Sequence, residues 1–102
     1  MSRYEQLLAL LQESPDDVFL HYGLSMELIA QGDLRAAQTK LEEIAVKWPD
    51  YLAAYYQLGQ LAIGQNNIEL AKKWLNAGVD LAKKQNNKRT LSELNSALDE
   101  LS

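Results

Sequence analysis

The chain has 102 residues, a net charge of −4 and an isoelectric point near 4.9, and it contains no cysteine. These values exclude a disulfide framework, thiol chemistry and zinc-finger ligation, and they argue against a broad nucleic-acid footprint. A chain of this length buries roughly two-thirds of its unfolded surface, enough for one domain over residues 1–102 without covalent staples.

Helical periodicity runs throughout, and nothing reads as a strand. Tyr4, Leu7, Leu8, Leu10 and Leu11 form an unusually wide apolar stripe on a first helix over residues 3–13. Ser14-Pro15 ends it, because the residue before a proline avoids the α region. A second helix is predicted over 17–31, with Asp16 as its N-cap. Gly32 supplies the left-handed turn that stops this helix, and Asp33 caps the next one, over 34–47. After the turn Trp48-Pro49-Asp50, helices are predicted over 51–65 and 68–84, separated by Gln65-Asn66-Asn67. Asn86-Asn87 breaks the chain again, and a last helix covers 88–101 with the stripe Leu91, Leu94, Leu98 and Leu101.

No run of ~20 apolar residues exists, so no membrane span is predicted. Glu5 and Gln6 interrupt the place where a secretion signal would begin its apolar region. The expectation is a soluble, cytoplasmic protein.

An internal repeat organises these elements. Pro15-Asp16-Asp17 reappears 34 residues later as Pro49-Asp50-Tyr51, Leu24 as Leu58, Ala37 as Ala71 and Leu41 as Leu75. In both copies a small Ala of the second helix follows a large residue of the first by 16 positions, His21 to Ala37 and Tyr55 to Ala71. Shifting Leu41 and Ile44 back by the same step gives Leu7 and Leu10, so the first helix reads as the second half of a repeat. The last helix aligns with the first helix of copy one after a shift of 70, which implies a connection two residues longer than the period requires. Its polar residues Ser92, Glu93, Ser96, Asp99 and Glu100 suit a capping helix, which must face water on one side.

The period and the residues Tyr55, Leu58, Gly59, Ala62, Ala71 and Leu75, with His21, Leu24, Ser25, Leu28, Ala37, Leu41 and Pro49 in copy one, resemble the tetratricopeptide repeat (TPR) family. Ser25 stands in place of the usual Gly, Ala62 in place of the usual Tyr, and Lys83 where a Pro would close copy two. The resemblance implies an all-α fold, a right-handed superhelix of about six helices in antiparallel pairs. It divides the chain into an N-terminal half-repeat (1–14), repeat one (15–48), repeat two (49–85) and a C-terminal cap (86–102). It also implies a protein-interaction module whose partner, a protein or peptide, lies in the concave groove.

No constellation for catalysis is visible. His21 is the only histidine and stands at a core position, where a half-buried structural role fits best. The carboxylate pairs Asp16-Asp17, Glu42-Glu43 and Asp99-Glu100 are adjacent in sequence, and adjacent helical residues do not face each other. No nucleophile elbow, phosphate loop or zincin motif is present. The expectation is a non-enzyme without cofactor or metal, and without nucleic-acid or membrane partners. Trp48 is expected to cover the inter-repeat turn and Trp74 to pack beside Leu75. The cations Lys72-Lys73, Lys83-Lys84 and Lys88-Arg89 read as a solvated face.

The resemblance places the groove wall on first-helix residues away from the core line: Phe19, Tyr22, Met26 and Ile29 in copy one, Tyr56, Gln60 and Ile63 in copy two, and Arg89 in the last helix. Phe, Tyr and Met are large for an exposed wall and are enriched at interface cores. Many TPR proteins grip acidic tails with a clamp of Lys, Arg and Asn, but residues 17–31 and 51–65 contain none of these. An apolar or aromatic anchor is therefore the expected ligand. The alternative is a homodimer formed through the wide stripe of the N-terminal helix.

Overall fold

The computed structural model describes residues 1–102 as six α-helices and no strand. They are α1 (Arg3–Glu13), α2 (Val18–Ala30), α3 (Leu34–Lys47), α4 (Leu52–Gly64), α5 (Ile68–Lys84) and α6 (Lys88–Glu100). Every boundary lies within one residue of the position that caps and breakers predict.

The helix starts have identifiable causes. At α1 the Ser2 hydroxyl accepts from the Glu5 amide while the Glu5 carboxylate accepts from the Ser2 amide, a reciprocal capping box. Asp33, Asn67 and Asn87 cap α3, α5 and α6 by accepting from the amides of Ala36, Leu70 and Thr90. The expected cap of α2 is displaced by one residue. Asp17, not Asp16, has the extended backbone of an N-cap and accepts from the Phe19 amide at 3.0 Å. Asp16 lies one position too early to reach those amides, and its carboxylate instead meets Lys47 Nζ at 3.0 Å. At α4 the cap position holds Tyr51, whose side chain makes no capping bond.

Three helix ends share one geometry. Gly32, Asn66 and Asn86 adopt φ of 83°, 59° and 56°. The amides that follow bond back across the turn, Asp33 to Leu28 O, Asn67 to Ala62 O and Asn87 to Ala82 O, each at 2.9 Å. This is the Schellman arrangement, which closes the last carbonyls of a helix. Glycine enters the left-handed region without penalty, and Asn is the usual side-chain-bearing substitute.

The third of these turns shows where the two residues beyond the 34-residue period go, and it agrees with the predicted helix over 68–84. They extend α5, which runs 17 residues where α3 runs 14. Pro49 forbids helix continuation after Trp48, whereas Lys83 at the matching position permits another turn. The chain then crosses to α6 by the three residues Gln85-Asn86-Asn87, in the manner of the turns inside each repeat.

Helix packing divides the chain into two units, Met1–Pro49 and Asp50–Ser102. In the first, α1 and α3 each pack on α2, and Leu7, Leu24, Ala37, Leu41, Ile44 and Ala45 are buried. Ser25 is fully buried among them, and its hydroxyl donates to the Tyr22 carbonyl at 2.6 Å, which satisfies a group that would otherwise be costly to desolvate. In the second, α4 and α6 each pack on α5 around Leu58, Leu75, Ala82 and Leu94. Glycine permits the close approaches here. A Cβ on Gly59 would lie 2.5 Å from Leu75 Cδ2, and one on Gly78 would lie 3.1 Å from Leu94 Cδ2. Leu94 is fully buried, while Leu91, Leu98 and Leu101 pack at the edge of the same core. Ala97, too small to stand out in the sequence stripe, is buried with them. Gln85 Nε2 donates to the Asp50 carbonyl at 2.7 Å, tying the end of α5 to the start of its own unit.

Candidate protein-interaction surface

The spacing of Phe19, Tyr22, Met26 and Ile29 sets them on one stripe of α2. Phe19 is 69% exposed, and the other three are half-buried. A phenylalanine left in water forgoes most of its burial energy, on the order of 2 kcal/mol. On α4, Tyr56, Gln60 and Ile63 form a matching stripe of half-buried residues. Tyr56 and Ile63 pack against the core that contains Leu52, Leu75 and Leu94, so their apolar bodies already have partners within the unit. Arg89 stands in the first turn of α6 with its side chain 94% exposed, and its Nε lies 3.8 Å from Glu93.

Neither α2 nor α4 carries a Lys, Arg or Asn. Glu27, the one residue among Asp, Glu, Lys and Arg on α2, pairs with Arg3 Nε at 3.3 Å. His21 is occupied structurally. Its Nε2 sits 2.7 Å from the Pro15 carbonyl oxygen, which can only accept, so this nitrogen carries the proton. The imidazole also lies 5.2 Å from the Trp48 ring, and Lys47 Nζ is 4.9 Å from the same indole. Trp48 thus packs beside His21 of α2 at the end of the first unit. Trp74 is half-buried beside Tyr55 at 5.9 Å, and its indole N–H is buried without an acceptor. Burial, and then the negative charge of Asp50, push the Tyr55 phenol above its ordinary pKa.

The first unit also contains a concavity of about 380 Å³ that sequence reasoning did not locate. Tyr4 and Leu8 of α1, Leu24 and Leu28 of α2, and Thr39 and Lys40 of α3 line it. The available signal was the width of the α1 stripe, since Leu8 falls outside the core line and is 42% exposed. Two further exposed apolar side chains of α3, Leu34 and Val46, had no distinguishing pattern. No group of three or more His, Asp or Glu is arranged to hold a metal ion. No helix is long and apolar enough to cross a membrane.

Solved structures share this architecture. A tetratricopeptide repeat domain protein from Salinibacter ruber, determined in solution, superposes with a TM-score of 0.82 at 28% identity, over 86% of this chain and 89% of that one. A crystal structure of the Salinibacter ruber domain gives 0.80 at 28% identity, over 83% and 96%. A protein from Bordetella parapertussis, also solved in solution, gives 0.86 over 99% and 88%, with 24% identity. No curated protein matches the chain in sequence. The tetratricopeptide repeat family model matches residues 28–98, and the six-helix, strand-free chain with its 34-residue period therefore belongs to the tetratricopeptide repeat family.

Proposed function

We propose that the protein is a non-enzymatic adaptor that binds a partner protein or peptide through apolar contacts on its first helices. The observation that carries this reading is the α2 stripe, where Phe19 is 69% exposed beside Tyr22, Met26 and Ile29 with no cation on the helix. Exposed aromatic and Met side chains supply contact area at little conformational cost, and such residues are the usual anchors of interfaces. Gln60 and the accessible edges of Tyr56 and Ile63 extend the same chemistry to α4 within its own unit, and Arg89 adds an exposed cation on α6. The apolar composition favours a ligand with aliphatic or aromatic anchors over a lone acidic tail.

Peptides selected by display against the full chain test this reading. Phe19→Ala should weaken the selected peptide at least about tenfold, which is ~1.4 kcal/mol, with no change in melting temperature. Binding should persist at ~0.5 M salt, because screening acts mainly on exposed charges. Undiminished binding by Phe19→Ala, or release by salt alone, would exclude the stripe.

A second reading has its own observation. Leu8 and Leu10 of α1 are 42% and 50% exposed, which favours self-association through that helix. Under it, sedimentation should show a dimer that Leu8→Glu with Leu10→Glu converts to a folded monomer. A wild-type monomer at high concentration removes it.

A further inference from the structure

The cations of the second unit are not distributed evenly. Lys83, Lys84, Lys88 and Arg89 fall within seven residues, with no acid among them, on both sides of the Asn86 turn. Lys83, Lys84 and Lys88 have no carboxylate partner, and Asp80, one turn earlier on α5, pairs with none of them. Only Arg89 has a partner, Glu93 at 3.8 Å, and that guanidinium is 94% exposed. In contrast, three of the four cations of the first unit, Arg3, Lys40 and Lys47, are paired.

The position makes this clustering unfavourable for the isolated chain. Lys83 and Lys84 suit the negative end of α5, but Lys88 and Arg89 occupy the first turn of α6, where the macrodipole is positive and no acid compensates. An anion at the corner would relieve both the mutual repulsion and the dipole. There is also a shape to receive one. A concavity of about 180 Å³ opens at the corner, lined by Ala82, Lys83, Asn86, Asn87, Lys88 and Leu91.

We propose that this α5–α6 corner docks an acidic segment of a partner protein, one carboxylate entering the concavity and its neighbours meeting Lys84 and Arg89. A nucleic acid fits less well. The corner has no aromatic side chain on which a base could stack. The inference does not depend on the α2 stripe binding anything.

The test is an amide-shift titration of the full chain with a synthetic hexaglutamate peptide at low salt. The expected result is saturable shifts confined to residues 82–92, lost progressively as salt rises to ~0.15 M, where charges on exposed groups are screened beyond ~8 Å. Lys83→Glu with Lys88→Glu should raise the Kd at least about tenfold, Lys83→Gln with Lys88→Gln should do so less, and Phe19→Ala should leave it unchanged. Spectra of these variants that match the wild type away from the corner establish that they fold. The proposal is overturned if hexaglutamate shifts nothing at 82–92, if Lys72 and Lys73 respond equally, or if an oligothymidylate binds the corner more tightly than the peptide.

Discussion

Residues 1–49 and 50–102 start from the same repeat and end with opposite surfaces. The first unit sets eight acids against four cations and exposes Met1, Leu8, Leu10, Phe19, Leu34 and Val46. The second balances six of each, exposes no comparable apolar side chain, and gathers four cations at one corner. The interiors diverge at one aligned position. Gly59 lets Leu75 approach to a distance that no Cβ would tolerate, whereas Ser25, 34 residues earlier, keeps a side chain in a fully buried place and satisfies it on the Tyr22 carbonyl. A repeat thus fixes the helix positions and leaves each copy free to choose its contact distance and its outer face.

Four measurements sharpen or break this comparison. The largest effect is expected from Leu94→Ala, which removes the fully buried side chain holding α6 on Gly78. It should cost about 2–5 kcal/mol in denaturant unfolding. A loss below ~0.5 kcal/mol, typical of surface changes, would show that α6 is not part of the second core. Next, Lys83→Pro restores the residue that closes copy one. It should remove the last turn of α5 and cost about 3 kcal/mol, with a fall in helical circular dichroism. Unchanged helicity would mean that the extension of α5 plays no part in seating α6.

Gly59→Ser and Ser25→Gly exchange the divergent pair. The first should overpack against Leu75 and cost about 1–3 kcal/mol. The second opens a helix interior to glycine and should cost about 1 kcal/mol. Equal costs would show that the two helix pairs approach equally closely, against the geometry. The smallest effect concerns alkaline pH. The Tyr55 phenol is raised above its ordinary 10.0 by burial and then by Asp50. The folded state therefore holds this proton longer than the unfolded state does. The stabilising contribution is complete below pH ~10 and is lost as pH climbs through the raised value. Tyr55→Phe should flatten that part of the melting curve, and an identical alkaline slope would remove Tyr55 as its source.

The helices were legible in the sequence because their ends are written in residues with one strong conformational preference. Pro15 and Pro49 forbid continuation, Gly32, Asn66 and Asn86 accept a left-handed backbone, and Asp33, Asn67 and Asn87 offer cap oxygens. Where two equivalent residues stood side by side, as Asp16 and Asp17, pattern could not decide which one occupies the cap. The joint before α6 was legible from its breakers and not from the period, because a period carries no information on whether spare residues enter a loop or a helix, whereas Asn86-Asn87 marks where α5 must stop. The surface was less legible than the core. A position a quarter turn from the core line can be exposed, like Phe19, or half-packed, like Tyr56 and Ile63, and helical spacing does not distinguish the two. The corner cations were plain in the sequence, but their lack of partners became visible only with the geometry of the Asn86 turn.

The two tryptophans fall one to each unit, Trp48 at the end of the first and Trp74 inside the second. They also differ in surroundings: Trp48 lies near an imidazole and an ammonium group, and Trp74 hides its N–H from water. Intrinsic fluorescence is consequently a built-in pair of separate reporters. With Trp48→Phe or Trp74→Phe, each signal follows one unit alone. Repeat arrays lose stability as neighbouring units uncouple. Coincident transitions from the two indoles would mark a chain that melts as a whole, and offset transitions would reveal which half lets go first.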